Sequence, residues 1–143
     1  MTWFGFERHA LSLVWSTIFP SGTEAGIELG AADVGLDAFL DELLAHAPAR
    51  VSFGLRVSLW LVAFLCPLFV LGRFATFSGL SGEERLELLE RLQRSDVYLL
   101  RELPTFFKML GALGYGGLPV VHAALGIRVR DDEPPPWATK GAR

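Results

Sequence analysis

The chain has 143 residues, a net charge of −3, 51% hydrophobic residues and only 20% charged ones, with a mean hydropathy of +0.37. That length suits one domain with a real core. The charge balance excludes the basic footprint of a nucleic-acid binder, and the lone Cys66 excludes an internal disulfide. The apolar excess calls for an unusually rich core, or for a partner or membrane that covers part of the surface.

Thr2 is placed to cap a first helix that runs to about Phe19, with Leu11, Val14, Trp15 and Ile18 on its apolar face and Pro20 past its end. The opening segment MTWFGFERHALSLVWSTIFPSG carries Glu7, Arg8 and His9. It lacks a basic start and a small-residue cleavage site, so it reads as mature sequence. The expected location is the cytoplasm or the periphery of the inner membrane. After the loop SGTEAGIELGAAD, Asp33 is placed to cap a second helix from about Val34 to His46, with Leu36, Phe39, Leu40, Leu43 and Leu44 on one face.

Pro48 marks the start of a third helix. Between Arg56 and Arg73 it has sixteen uncharged residues, VSLWLVAFLCPLFVLG. A membrane span needs about 20 residues, and sixteen cover only about 24 Å of helix. Pro67 is expected to break or kink it. The first reading is a fully buried core helix. The second is a helix half covered by a partner protein, and the third a surface-embedded, non-spanning membrane contact.

Phe77 to Gly126 organises the rest. Ser81 and Glu84 have capping-box spacing, and Glu87 with Arg91 and Glu90 with Arg94 form acid-to-base pairs one turn apart. Leu86, Leu89 and Leu92 are expected on the buried side. The next helix carries the stripe Leu99, Leu103, Phe106, Leu110 and Leu113, with a kink or restart expected at Pro104. Gly114, Gly116 and Gly117 end it, and a short helix from Pro119 to Leu125 closes at Gly126. With no strand-like alternation, the fold class is all-α. It is a compact irregular bundle of about five helices over residues 1–127, followed by an extended polar, proline-rich tail over 128–143. Trp137 in that tail either folds back on the domain or anchors on another subunit.

Little in the chain suggests reaction chemistry. His9, His46 and His122 have no ligand spacing, and His46 suits a helix C-terminus. Cys66 lies in an apolar run and reads as an inert buried thiol. The glycines from Gly111 to Gly117 follow a helix rather than a strand, so they are no dinucleotide loop. Asp37, Asp41 and Glu42 read mostly as a solvated face, while Glu24 and Glu28 are the acids least readily set aside. Arg101 and Lys108 are either rim contacts to an acidic partner or snorkelling side chains. No catalytic, cofactor-binding or metal-binding residues are assigned.

The order of these pieces resembles the gluconate 2-dehydrogenase subunit 3 family, small accessory subunits of FAD-dependent glucose-methanol-choline oxidoreductases. IFPSGTEAGIELG followed by VGLDAFLDELL is similar to the family's opening. FSGLSGEERLELLERLQRS is similar to its capped helix, and LLRELPTFFKMLGALGYGGLPVVHAALGI to its ending. Together they cover Ile18 to Ile127. The chain departs from the family pattern in lacking a twin-arginine signal, in Pro104, and in GYGGLP, where Tyr115 stands alone.

The resemblance implies a non-catalytic small subunit. It would bind and stabilise a large FAD-binding alcohol, sugar or sterol dehydrogenase subunit, with FAD held by the partner and a further electron-transfer subunit compatible with the same assembly. Candidate interface residues are Trp60, Phe64, Phe69, Phe74, Phe77, Arg101, Phe106, Lys108, Tyr115 and Trp137. The alternative is a membrane-surface helical protein that uses the apolar 57–72 segment.

Overall fold

In the computed structural model, residues 3–22 and 28–127 are described. The described residues form α-helices and no strand, as the sequence pattern predicts. Helix α1 is Gly5–Ile18, α2 is Ala31–Val34 and α3 is Asp37–His46. Helix α4, Ala49–Trp60, continues through a π-helical segment, Leu61–Leu65, into α5, Cys66–Leu71. A 3-10 turn at Phe77–Gly79 leads to α6, Gly82–Gln93, then α7, Tyr98–Gly116, and α8, Pro119–Ala124.

Helix α1 is the central element. It packs against α2, α4, α6, α7 and the Phe77 turn. Leu11 and Val14 are fully buried and Trp15 nearly so, so the apolar face expected of this helix is the core of the bundle. The Trp15 indole N–H donates to the Phe107 carbonyl at 3.1 Å, joining α1 to α7 inside the core. The helix begins later than the sequence suggests. Phe4 is its N-cap, and the Glu7 carboxylate accepts the Phe4 N–H at 2.8 Å. Thr2, the expected cap, lies outside the described residues.

The second predicted helix is two. Gly35 adopts a left-handed φ of +63° and separates α2 from α3. Asp33 therefore does not cap a long helix. It sits in the third position of α2, where its carboxylate accepts the Gly30 N–H at 2.7 Å and the Ser21 hydroxyl at 2.5 Å.

The helix from Ala49 to Leu71 is 23 residues long and runs through Pro67 without a break. The π turn explains this. The Cys66 N–H bonds the Leu61 carbonyl, five residues back, which widens the helix just before the proline. Pro67 then falls in the first turn of α5, where a missing N–H costs little. The helix is not the fully buried one expected. Leu55, Leu59, Val62 and Cys66 face the core, whereas Phe53, Trp60, Phe64 and Phe69 are exposed.

Helix α6 starts on the predicted capping box. The Glu84 N–H donates to the Ser81 hydroxyl at 3.2 Å, and the Ser81 N–H donates to Glu84 at 2.9 Å. The pairs Glu87–Arg91 and Glu90–Arg94 form at 2.5 and 3.9 Å. Leu88, Leu89 and Leu92 are buried, whereas Leu86 is exposed, a rotation from the expected face. Two adjacent rows are needed because α6 contacts α1, α5 and α7 together.

Helix α7 departs further from expectation. It is continuous through Pro104, with no restart. Its buried face is Leu103, Pro104, Phe107, Gly111 and Gly114, while Leu99 and Leu113 are 74% and 70% exposed. The buried side is marked by its smallest residues. A Cβ on Gly111 would lie 2.7 Å from the Phe19 ring and 2.8 Å from Trp15, and one on Gly114 would lie 2.5 Å from Phe39. Aromatic rings of α1, α3 and the loop after α1 occupy the space that side chains on α7 would need. Of the glycines expected to end the helix, Gly114 is instead a packing position, and the helix ends at Gly116. Helix α8 ends as predicted, with Gly126 at φ +66°.

Candidate functional site

Two features lie outside the packed core: a cleft at the start of α1, and a set of exposed apolar faces. The cleft begins from a buried ion pair. Glu7 is fully buried, an unusual position for a carboxylate. Arg56, on the second turn of α4, reaches back to it. Its Nε lies 2.6 Å from one carboxylate oxygen, and its terminal nitrogen donates to the other at 2.8 Å. The Trp60 indole N–H, one turn further along, donates to the first oxygen at 2.9 Å. Burial by itself pushes the Glu7 carboxyl upward. Hydrogen bonds from Arg56, the Phe4 N–H and Trp60, with the Arg56 charge, outweigh it and hold Glu7 below the usual glutamate range. The Arg56 guanidinium also lies over the rings of Trp3 and Phe4, at 5.8 and 5.5 Å. Trp3 is itself buried, and its indole N–H has no hydrogen-bond partner among the described residues.

Above this pair opens a cleft of about 400 Å3. Phe6, Trp60 and Phe64 wall it, Ala10, Leu59 and Ala63 line it, and His9, Thr76 and Ser78 complete its described lining. Phe6 stacks on Phe4 at 5.8 Å and leans on Phe64 at 6.2 Å.

The exposed apolar faces hold most of the predicted interface residues. Trp60 and Phe64 border the cleft, Phe69 is 78% exposed and Phe74 is 95% exposed. Arg101, Phe106 and Lys108 are on the outer side of α7, where Arg101 lies over the Tyr98 ring at 5.6 Å. Leu99 and Leu113, which the sequence stripe had placed inside, are exposed on that side together with Met109. Two predicted residues point inward. Phe77 is fully buried, because the 3-10 turn folds its ring into the core. Tyr115 stacks on Phe19 at 5.7 Å and donates its hydroxyl to the Leu29 carbonyl at 2.6 Å, so it closes the α7 end onto the first loop. Trp137 and Glu24 lie outside the described residues.

Several other chemistry-bearing groups among the described residues sit in structural contacts. Cys66 is buried, and burial pushes its thiol up to about 11. The His46 ring bonds the Glu42 carbonyl at 2.9 Å in the last turn of α3. Among the described residues, no three His, Cys, Asp or Glu side chains are grouped as a metal site would need. Arg8 pairs with Asp41 across α1 and α3, which draws one acid of the expected solvated face into a contact.

Sequence reasoning missed Glu7 and Arg56 as a pair. The available signal was a lone carboxylate amid MTWFGF and ALSLVW, and a lone arginine entering the most apolar helix. Compared with family models, curated proteins and solved structures, the chain matches none.

Proposed function

We propose that this chain is a non-catalytic accessory subunit that packs on a large FAD-binding oxidoreductase of the glucose-methanol-choline type. The observation that supports a docking role is the outer band of α7. Leu99, Phe106, Met109 and Leu113 are all exposed there, with spacings of seven, three and four residues. At about 1.5 Å per residue the band runs roughly 21 Å. Arg101 and Lys108 flank it. A contiguous apolar band of this kind is unusual on a free soluble surface, and obligate interfaces resemble a core cut in half. The choice of a flavoprotein partner rests on the order of the three sequence segments from Ile18 to Ile127.

A tagged pull-down from the native host tests this reading, with an absorbance spectrum and mass spectrometry of what co-purifies. The expected result is a yellow, near-equimolar complex with an FAD-binding oxidoreductase, lost when Leu99 and Met109 are changed to serine. A colourless preparation of this chain alone would overturn it.

A second reading has its own support. The helix Ala49–Leu71 is long and apolar enough to cross a membrane by length and composition, and 39% of its apolar window is buried. With Phe69 on it and Phe74 just past its end, this face suits insertion into a lipid surface. Co-sedimentation with phospholipid vesicles, abolished by Phe69→Ser and Phe74→Ser, would favour that reading over the first.

A further inference from the structure

We propose that the cleft between α1, the π-helical segment and the Phe77 turn binds one small neutral apolar molecule carrying a single hydroxyl or carbonyl head. This goes beyond the subunit reading and does not depend on it.

Size comes first. About 400 Å3 falls within the range of roughly 300–1,000 Å3 typical of small-molecule sites. Three aromatic side chains, Phe6, Trp60 and Phe64, offer flat faces to a ring system, and Ala10 and Ala63 leave the space between them open. The Trp60 wall is fixed before any ligand arrives, because its indole N–H is held on Glu7 at 2.9 Å. A preordered wall lowers the entropy cost of binding. The π turn sets Ala63 and Phe64 on that wall, and π turns recur at functional sites.

Charge selects the ligand class. Glu7 is the only acid among the described lining residues, and its oxygens are already engaged by the Phe4 N–H, by Arg56 and by Trp60. It has no oxygen left to hold an ammonium group, and Arg56 neutralises its charge, so the described lining offers no net charge to stabilise an ionic head in an apolar cleft. Among the described lining residues, His9, Thr76 and Ser78 are the other polar side chains a ligand head could meet, and they suit one neutral donor or acceptor.

Nile red, a neutral ring dye with a carbonyl, is a suitable probe, with the anionic dye 1-anilinonaphthalene-8-sulfonate as comparator. Titrating the purified full chain should give one saturable Nile red site, at least about tenfold tighter than any site for the anion. Ser78→Trp and Thr76→Trp each set an indole at an exposed lining position and should weaken Nile red about tenfold or more. Leu99→Ser with Met109→Ser, on α7, should leave binding unchanged. Circular dichroism melts confirm that each variant is folded, and two lining variants guard against one failing to fold. Equal binding by the tryptophan variants would overturn the proposal, because the dye would then sit elsewhere. Loss in the α7 variant would overturn it for the same reason. Equal affinity for the anion would overturn the assigned chemistry. No binding up to the dye's solubility would leave the cleft as a seat for a partner's side chain and end the small-molecule reading.

Discussion

Glu7 and Arg56, 49 positions apart, meet at 2.6 and 2.8 Å in a nearly dry site, and their contact clamps the start of α1 onto α4. The clamp is local in its consequences. It fixes the Phe4 N-cap, the Trp60 indole and the aromatic end of the cleft together.

Breaking this pair from one side should be costly. Glu7→Gln leaves the Arg56 charge buried without its counterion, and such losses run to about 3–5 kcal/mol. Replacing both, as Glu7→Leu with Arg56→Met, should recover part of that, because an apolar pair needs no desolvation while the Phe4 and Trp60 N–H groups still lose their acceptor. Urea unfolding followed by circular dichroism measures both. A single variant that costs less than about 1 kcal/mol would mean that the site is wetter than its burial implies.

Acid should act on the same contact. The folded Glu7 carboxyl titrates below its unfolded value, which is about 4.3. Its stabilisation is therefore complete above that pH. It declines as the pH falls through the lower folded value, because the unfolded chain binds the proton more readily. Asp33, Asp41 and Glu84 are also lowered, by hydrogen bonds from Ser21, Arg8 and the Ser81 backbone respectively. They give the wild type and Glu7→Gln a shared acid slope. The difference in melting temperature between the two proteins should therefore shrink from pH 7 to pH 3. A constant difference would mean that the Glu7 charge contributes nothing.

The glycines of α7 make opposite predictions according to position. Alanine is a better helix former than glycine by about 1 kcal/mol, so Gly116→Ala, with open space around its Cβ, should be neutral or stabilising. Gly114→Ala meets the Phe39 ring at 2.5 Å, and Gly111→Ala meets Phe19 and Trp15 at 2.7 and 2.8 Å. Trp15 has little freedom to yield, since its indole is bonded to Phe107. Overpacking of this kind costs about 1–3 kcal/mol, which exceeds the propensity gain. Thermal melts in which all three alanines behave alike would remove the close approach of the rings to α7.

These glycines also show where the sequence misleads. Capping at Ser81, the pairs on α6, the α1 core face and the stop at Gly126 were legible because each depends on residues within a turn or two. The stripe from Leu99 to Leu113 has equally good periodicity, yet the structure buries Leu103 of it and exposes Leu99, Phe106 and Leu113. Periodicity finds an apolar side but does not say which side meets the bundle when the helix is apolar nearly all round. Rings on other elements decide that, by fitting over Gly111 and Gly114. Pro67 and Pro104 misled for a related reason. A π turn and a helix held on two sides tolerate a lost hydrogen bond that an isolated helix would not. The cleft was illegible because Glu7, Trp60 and Thr76 come together only through the packing of α1 on α4 and the Phe77 turn.

The thiol of Cys66 should be inert in the folded chain. Burial raises it to about 11, so at pH 8 very little of it is thiolate, and the core covers the sulfur. Ellman's reagent should react only at the rate of unfolding and fully in denaturant. Rapid labelling of the native protein would show that α5 opens away from α6.

The phenylalanines from α5 to the turn before α6 separate surface from core within a few residues. Phe69 and Phe74 are 78% and 95% exposed, whereas Phe77 is fully buried. Phe69→Ser and Phe74→Ser should each change folding stability by no more than about 0.5 kcal/mol, as surface substitutions do. Phe77→Ser empties a core position and sets a hydroxyl there, so it should cost at least the roughly 3–5 kcal/mol of a buried aromatic truncated to alanine. Light scattering supplies the second readout. If Phe69 and Phe74 belong to a covered face, removing them should reduce self-association of the isolated chain while its unfolding midpoint holds. A serine at either position that lowers the midpoint as far as Phe77→Ser would place that ring inside the fold and remove it from the docking surface.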